Sequence, residues 1–221
     1  ADTLAEARDN VTFGEVDEFY GLAVPDGVEA AHHDHWNEEL RGLDAQTKID
    51  VALRLEREVR ARDPRITGVR VAAWGDSAGE VAYAGSNGIT VYDRGTSCSV
   101  GVQALANDAG ETQTGAAGDA ARALTDLDLD RVVREAADRS TRLLGATKPP
   151  SGRLAILLEP RLAMTLLGII AGMVDGESVH KGRTPFADRQ GEQIASPLLT
   201  FVDDPTDARS IAATAYDGEG L

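Results

Sequence analysis

The sequence predicts an α+β fold, an antiparallel sheet with helices packed on one side. Three observations carry this. Two stretches, residues 44–62 and 128–144, repeat apolar residues at helical spacing. Between them, residues 66–118 break into short, partly alternating apolar runs separated by turn-forming residues. No two of these runs are joined by a segment long enough for a helical crossover, which leaves a meander of hairpins.

Residues 1–9 read as the tail of a helix, and residues 15–27, "EVDEFYGLAVPDG", as an irregular connector. Asp44 is the expected N-cap of the first long helix. Ile49, Ala52, Leu53, Leu55 and Val59 are its expected buried stripe, and Asp63-Pro64 its stop. The sheet is expected from "ITGVRVAAWG", "EVAYAGS", "GITVYDRG" and "CSVGVQALAND", with "GETQTGAAG" extending or closing it. Ser86-Asn87-Gly88 is the clearest hairpin turn, because Asn and Gly tolerate positive φ.

In the second long helix, Asp126, Asp128 and Asp130 stand at the start and Arg139 and Arg142 near the end. Both placements complement the helix dipole. Val132, Val133, Ala136, Leu143 and Leu144 are its expected buried stripe, and Gly145 its C-cap. "ATKPPSG" is a stiff linker, and it divides the chain into a region 1–147 and a region 148–221. The second region is expected to run strand "RLAILLEP", helix 161–174, strand "LLTFVDD", with "AYDGEGL" starting one more strand.

Composition limits the function. A net charge of −15 argues against binding nucleic acid through phosphates and against anionic membranes. No apolar run reaches the length of a membrane span, the longest being residues 162–174. The acidic, polar N-terminus does not read as a signal peptide, and with a single cysteine the expected home is a reducing cytoplasm.

Candidate chemistry is sparse. His32, His33 and His35 flank Asp34 in "AAHHDHWNEE", and imidazoles with carboxylates suit zinc, nickel or copper. On an extended segment His33 and His35 share a face while His32 points away, so a solvated acidic loop competes with a metal site. Cys98 in "TSCSV" reads as a small buried strand residue rather than a nucleophile. Gly168 and Gly172 are four apart on one helix face, where a neighbouring backbone is expected to approach closely. Lys181-Gly182-Arg183 reverses the ending that a phosphate loop needs. The acidic turns at Asp203, Asp204, Asp217 and Glu219 read as solvated.

From residue 150 onward "PSGRLAILLEPRLAMTLLG", "GESVHKGRTPFADRQGEQIAS", "LLTFVDDP" and "AYDGEG" follow one another. In that order they resemble the TldD/PmbA family, the modulators of DNA gyrase. Upstream, "KIDVALRLEREVRARDPRI", the "SNG" turn and "DLDLDRVVREAADRSTRLLGA" fit the family's middle region. The resemblance implies a longer parent, of which this chain looks like the middle. It also implies two kinds of subunit: a zinc metallopeptidase with a His-Glu-x-x-x-His helix, and a PmbA-like (TldE-like) subunit that lacks the motif and pairs with it to clip peptides.

Aligned back from "KGRTPFADRQGEQIAS", that helix falls on "LGIIAG", residues 167–172. Leu167, Gly168 and Gly172 then stand where the first His, the Glu and the second His would be. The resemblance therefore implies no catalytic residue, no metal ligand and no cofactor in this chain. Its expected partners are a TldD-like catalytic subunit or a second copy, and a peptide substrate. Ser178, His180, Lys181 and Arg183 are the candidate substrate or interface residues, with Lys181 and Arg183 suited to a carboxylate. Two alternatives are a protein-interaction module regulating a gyrase or toxin system, and a divergent metal-dependent peptidase using the histidine cluster.

Overall fold

The computed structural model describes residues 2–14 and 21–221. Two compact units are distinguished: Ala1–Ala146 with Asp204–Leu221, and Thr147–Asp203.

The first unit is built on a three-stranded antiparallel sheet in the order β1-β2-β3: β1 Ile66–Ala84, β2 Thr90–Asp108, β3 Glu111–Ala121. The four short runs expected from residues 66–108 are in fact two strands of 19 residues each. Register explains the correction. The turn-like segments "GDSAGE" and "DRGTS" lie opposite one another, pairing Gly75 with Ser99, Ser77 with Ser97 and Gly79 with Gly95. Each weak segment thus has a partner ladder, and main-chain pairing overrides poor strand propensity. Ser77 Oγ and Ser97 Oγ stand 2.9 Å apart, and Trp74 Nε1 and Lys48 Nζ donate to the Asp76 carboxylate at 2.7 and 2.8 Å.

The β1–β2 turn falls on Ser86-Asn87-Gly88 as expected. Gly88 has φ +88°, and Gly85 N donates to Ile89 O. The β2–β3 turn is a two-residue loop, Ala109-Gly110, with φ +48° and +87°. Positive φ at both positions matches the right-handed twist of the strands, and Ala109 adopts it without being glycine.

One face of the sheet is covered. Thr96, Cys98, Val100, Val102, Ala104 and Ala106 alternate along β2 and are all buried. They meet α3, Ala45–Arg62, and α4, Leu129–Thr141. α3 starts at Asp44, whose side chain accepts from Thr47 N, as the sequence predicts. Its buried stripe is narrower than expected. Leu55 and Val59 are fully buried, but Ile49 and Leu53 are half exposed. In α4, Val132, Val133 and Ala136 are buried, whereas Leu143 lies beyond the helix and is half exposed. α4 ends at Thr141 with Arg142 as its C-cap, three residues before the expected Gly145, which takes a left-handed φ of +75° in the following turn and donates its N–H to Glu111. Gly115 on β3 is the point of closest approach. A Cβ there would lie 2.1 Å from Ser140 N, so only glycine lets α4 settle on the strand.

The remaining helices are α1, Asp2–Asn10, and α2, Glu38–Arg41, in the first unit, and α5, Pro160–Val174, and α6, Gly176–His180, in the second. Residues 15–20 of the expected connector lie outside the described residues. Neither "RLAILLEP" nor "LLTFVDD" is a strand, and "AYDGEGL" forms turns. The apolar run is real, but Leu154, Ile156 and Leu157 are exposed and have no ladder to join. Among the described residues, no helix is long and apolar enough to cross a membrane.

Candidate functional site

α5 begins with Pro160 in its first turn, where a missing N–H costs nothing. None of its side chains is buried. Leu167, Ile170 and Val174 line an apolar cavity of about 420 Å³ with Phe186, Ile194 and Phe201. Gly168 and Gly172 have no atom within 4 Å of where a Cβ would stand, which overturns the expectation of a close backbone neighbour. Their glycine is not required by packing within this chain.

Asp175 follows α5 and caps α6, accepting from Ser178 N at 3.3 Å. Arg183 N donates to Ser178 O at 2.9 Å, which turns the chain back over the end of α6. Lys181 Nζ is held by Glu177 Oε1 at 2.6 Å, one helical turn away. This pair is exposed, so it adds little stability but keeps the ammonium beside α6. Ser178, His180, Lys181 and Arg183 thus sit together on α6 and the turn after it. Thr184, next in sequence, is the buried residue of this segment.

The histidine cluster belongs to the other unit. His35 forms a bridge with Gly95 of β2, and Thr96 N donates to His35 O at 2.9 Å. His33 and His35 share a face, as the spacing predicts, and their rings stack 4.8 Å apart at 7°. His32 is exposed. Burial, then the Arg122 guanidinium, hold the His35 imidazole below its ordinary range. Among the described residues, no group of three or more His, Cys, Asp or Glu is arranged to hold a metal ion. Cys98 is buried in β2, its Sγ 3.5 Å from Ala121 O, and burial pushes the thiol up. A raised thiol is a poor nucleophile.

The contact of the histidine segment with β2 and the full length of the β1–β2 pairing had no clear signal in the sequence. The first joins residues 60 apart, the second residues up to 40 apart.

Family models resolve what this geometry belongs to. A model described as the PmbA/TldA metallopeptidase central domain matches residues 38–144, and one for the C-terminal domain matches residues 151–221. The chain belongs to the PmbA/TldD family. A metalloprotease of Methanocaldococcus jannaschii is 28% identical over 163 residues, covering 72% of this chain and 36% of its own length. A TldD metalloprotease homologue of Haemophilus influenzae is 27% identical over 192 residues, 82% of this chain and 40% of its own. The chain therefore spans well under half of these relatives.

Solved structures of the family share the fold. A candidate modulator of DNA gyrase from Bacteroides thetaiotaomicron superposes with a TM-score of 0.89 at 22% identity, covering all of this chain and 51% of that one. TldE from Thermococcus kodakarensis gives 0.75 at 21%, covering all of this chain and 50% of that one. A PmbA/TldD chain is thus related to metalloproteases. The resemblance places the zinc-binding helix on α5, but an alkyl side chain at 167 and two glycines at 168 and 172 offer no donor atom. These residues do not fit a zinc ion.

Proposed function

We propose that this chain is the non-catalytic, PmbA/TldE-like member of a peptide-processing metalloprotease assembly, in which a TldD-like subunit supplies zinc and base. The observation that carries the reading is the chemistry of α5. Leu167 faces an apolar cavity, and Gly168 and Gly172 present only backbone. A helix of this composition can pack against a partner or a peptide, but it cannot polarise a carbonyl or take a proton.

Ser178, His180, Lys181 and Arg183 are then the substrate or interface residues. Lys181 is prearranged by Glu177, and Arg183 follows the turn that closes α6. Two cations suit a peptide carboxylate or an acidic loop of the partner. The proposal also places the protein in the cytoplasm.

The test is a reconstitution. The purified chain alone should leave an unstructured peptide intact. Mixed with a TldD-like zinc subunit, it should co-elute as a complex and support chelator-sensitive cleavage. Lys181→Ala with Arg183→Ala should weaken the complex or the peptide affinity about tenfold. Robust chelator-sensitive cleavage by this chain without a partner would sink the reading.

A further inference from the structure

β2 has two edges with different neighbours. One edge pairs with β1 along the length of the strand. The other pairs with β3 only between Cys98 and Asp108. Beyond that, His35 occupies the edge at Gly95. Thr96 N points to this side, so the two-residue period puts the main-chain groups of Thr90, Tyr92 and Arg94 on it as well. Arg94 N–H is already capped by the Asp93 carboxylate at 2.8 Å. The strap, residues 29–36, bows away from this edge and leaves a groove of about 630 Å³.

Few contacts close the strap. His35 O takes the Thr96 N–H, Thr96 Oγ1 accepts from Asn37 N at 3.0 Å, and the His33 ring stacks on His35. Trp36 lies beneath the Arg94 guanidinium, 5.0 Å from its ring centre. The His35 ring is faced by His33 and Asp34 on the strap, by Asp93 on β2 and by Arg122 just past β3. Glu29, Tyr92 and Tyr216 line the rest of the groove. His33 Nε2 is buried without a hydrogen-bond partner. Burial and the Arg122 guanidinium favour the neutral His35 ring over the charged one.

We infer that His35, stacked on His33, is an acid-operated latch: its neutral ring closes the strap on β2, and its protonation opens the strap and frees the edge at Thr96. An exposed strand edge is a ready template for another extended chain. The latch therefore controls access to that edge, independently of whether α5 serves a zinc-bearing partner.

The sign follows from linkage. A released strap takes up its proton at about pH 6.5. In the closed state burial and Arg122 hold His35 lower, against the pull of Asp93 and Asp34. Closure is complete above about pH 6.5 and weakens as pH falls from there towards the lower, closed-state value.

Amide exchange followed by NMR at pH 7.5 and pH 5, corrected for intrinsic rates, tests this on the intact chain. Protection of Thr96 and Asn37 should fall at least tenfold, while Val100 and Val102 stay unchanged. The double variant His33→Gln, His35→Gln should remove the pH dependence. Arg122→Met should blunt the acid opening, because the closed state then accepts the proton more readily. Asp93→Asn should deepen it. Unchanged Thr96 protection down to pH 5 overturns the proposal, as does a fall that persists in the double glutamine variant. If that variant is open at every pH, an undiminished fall in Arg122→Met overturns it instead.

Discussion

α4 and α5 are of similar length, 13 and 15 residues, and make opposite use of their composition. α4, "LDRVVREAADRST", is rich in charge yet buries six residues. α5, "PRLAMTLLGIIAGMV", is almost wholly apolar and buries none. Burial is decided by what lies opposite. α4 meets the covered face of the sheet and fits over Gly115, while Arg131 pairs with Asp119 of β3 and, with Arg139, with Glu135 of α4 itself. Within its own unit α5 meets α6 and the loop residues Phe186, Ile194 and Phe201. An apolar helix with bare glycines leaves its apolar surface uncovered here, whereas an amphipathic one completes a core.

The contrast can be broken most severely at the first unit's core. Leu55→Ala should lower the unfolding free energy by about 3 kcal/mol, because a fully buried leucine leaves a cavity that the sheet cannot fill. Denaturant unfolding followed by Trp74 fluorescence measures it. Next comes one substitution made in both places. Gly115→Ala should cost about 2 kcal/mol, since its Cβ collides with the α4 backbone. Gly168→Ala should have the opposite sign, stabilising α5 by about 0.5–1 kcal/mol, because nothing stands where the methyl would go. A comparable loss at Gly168 would mean that α5 is packed in solution.

The smallest effect is electrostatic. Two hydrogen bonds from the Arg65 side chain, with a third from its backbone, hold the Asp63 carboxyl at about 2. Its contribution is present above the ordinary aspartate value and is lost as pH falls from there towards 2. Carboxyl carbon shifts should report a midpoint near 2, and Arg65→Met should return it towards the usual range.

The comparison also marks what was legible in the sequence. The N-cap and the first hairpin turn were, because each rests on local chemistry: Asp44 on Thr47, and Gly88 at positive φ. The family was legible too, since the identity and order of residues carry it. Strand extent was not. "GDSAGE" and "DRGTS" look like breaks until each is placed opposite the other. "RLAILLEP" looks like a strand until it is left without a partner ladder. The stack of His33 on His35 was visible only as a shared face, since the spacing says nothing of Arg122 or Gly95, which give the pair its surroundings.

The two edges of β2 also set an order of assembly. Pairing with β1 starts across a loop of a few residues and zips outward from Thr90, each step closing little new chain. β3 adds across the two-residue turn at Ala109-Gly110 in the same local way. The bridge from His35 to Gly95 must instead gather about sixty residues that include all of α3 and β1. Among the pairings of β2 it spans the most chain, so the strap should be the last part of the sheet to arrive and the first to leave.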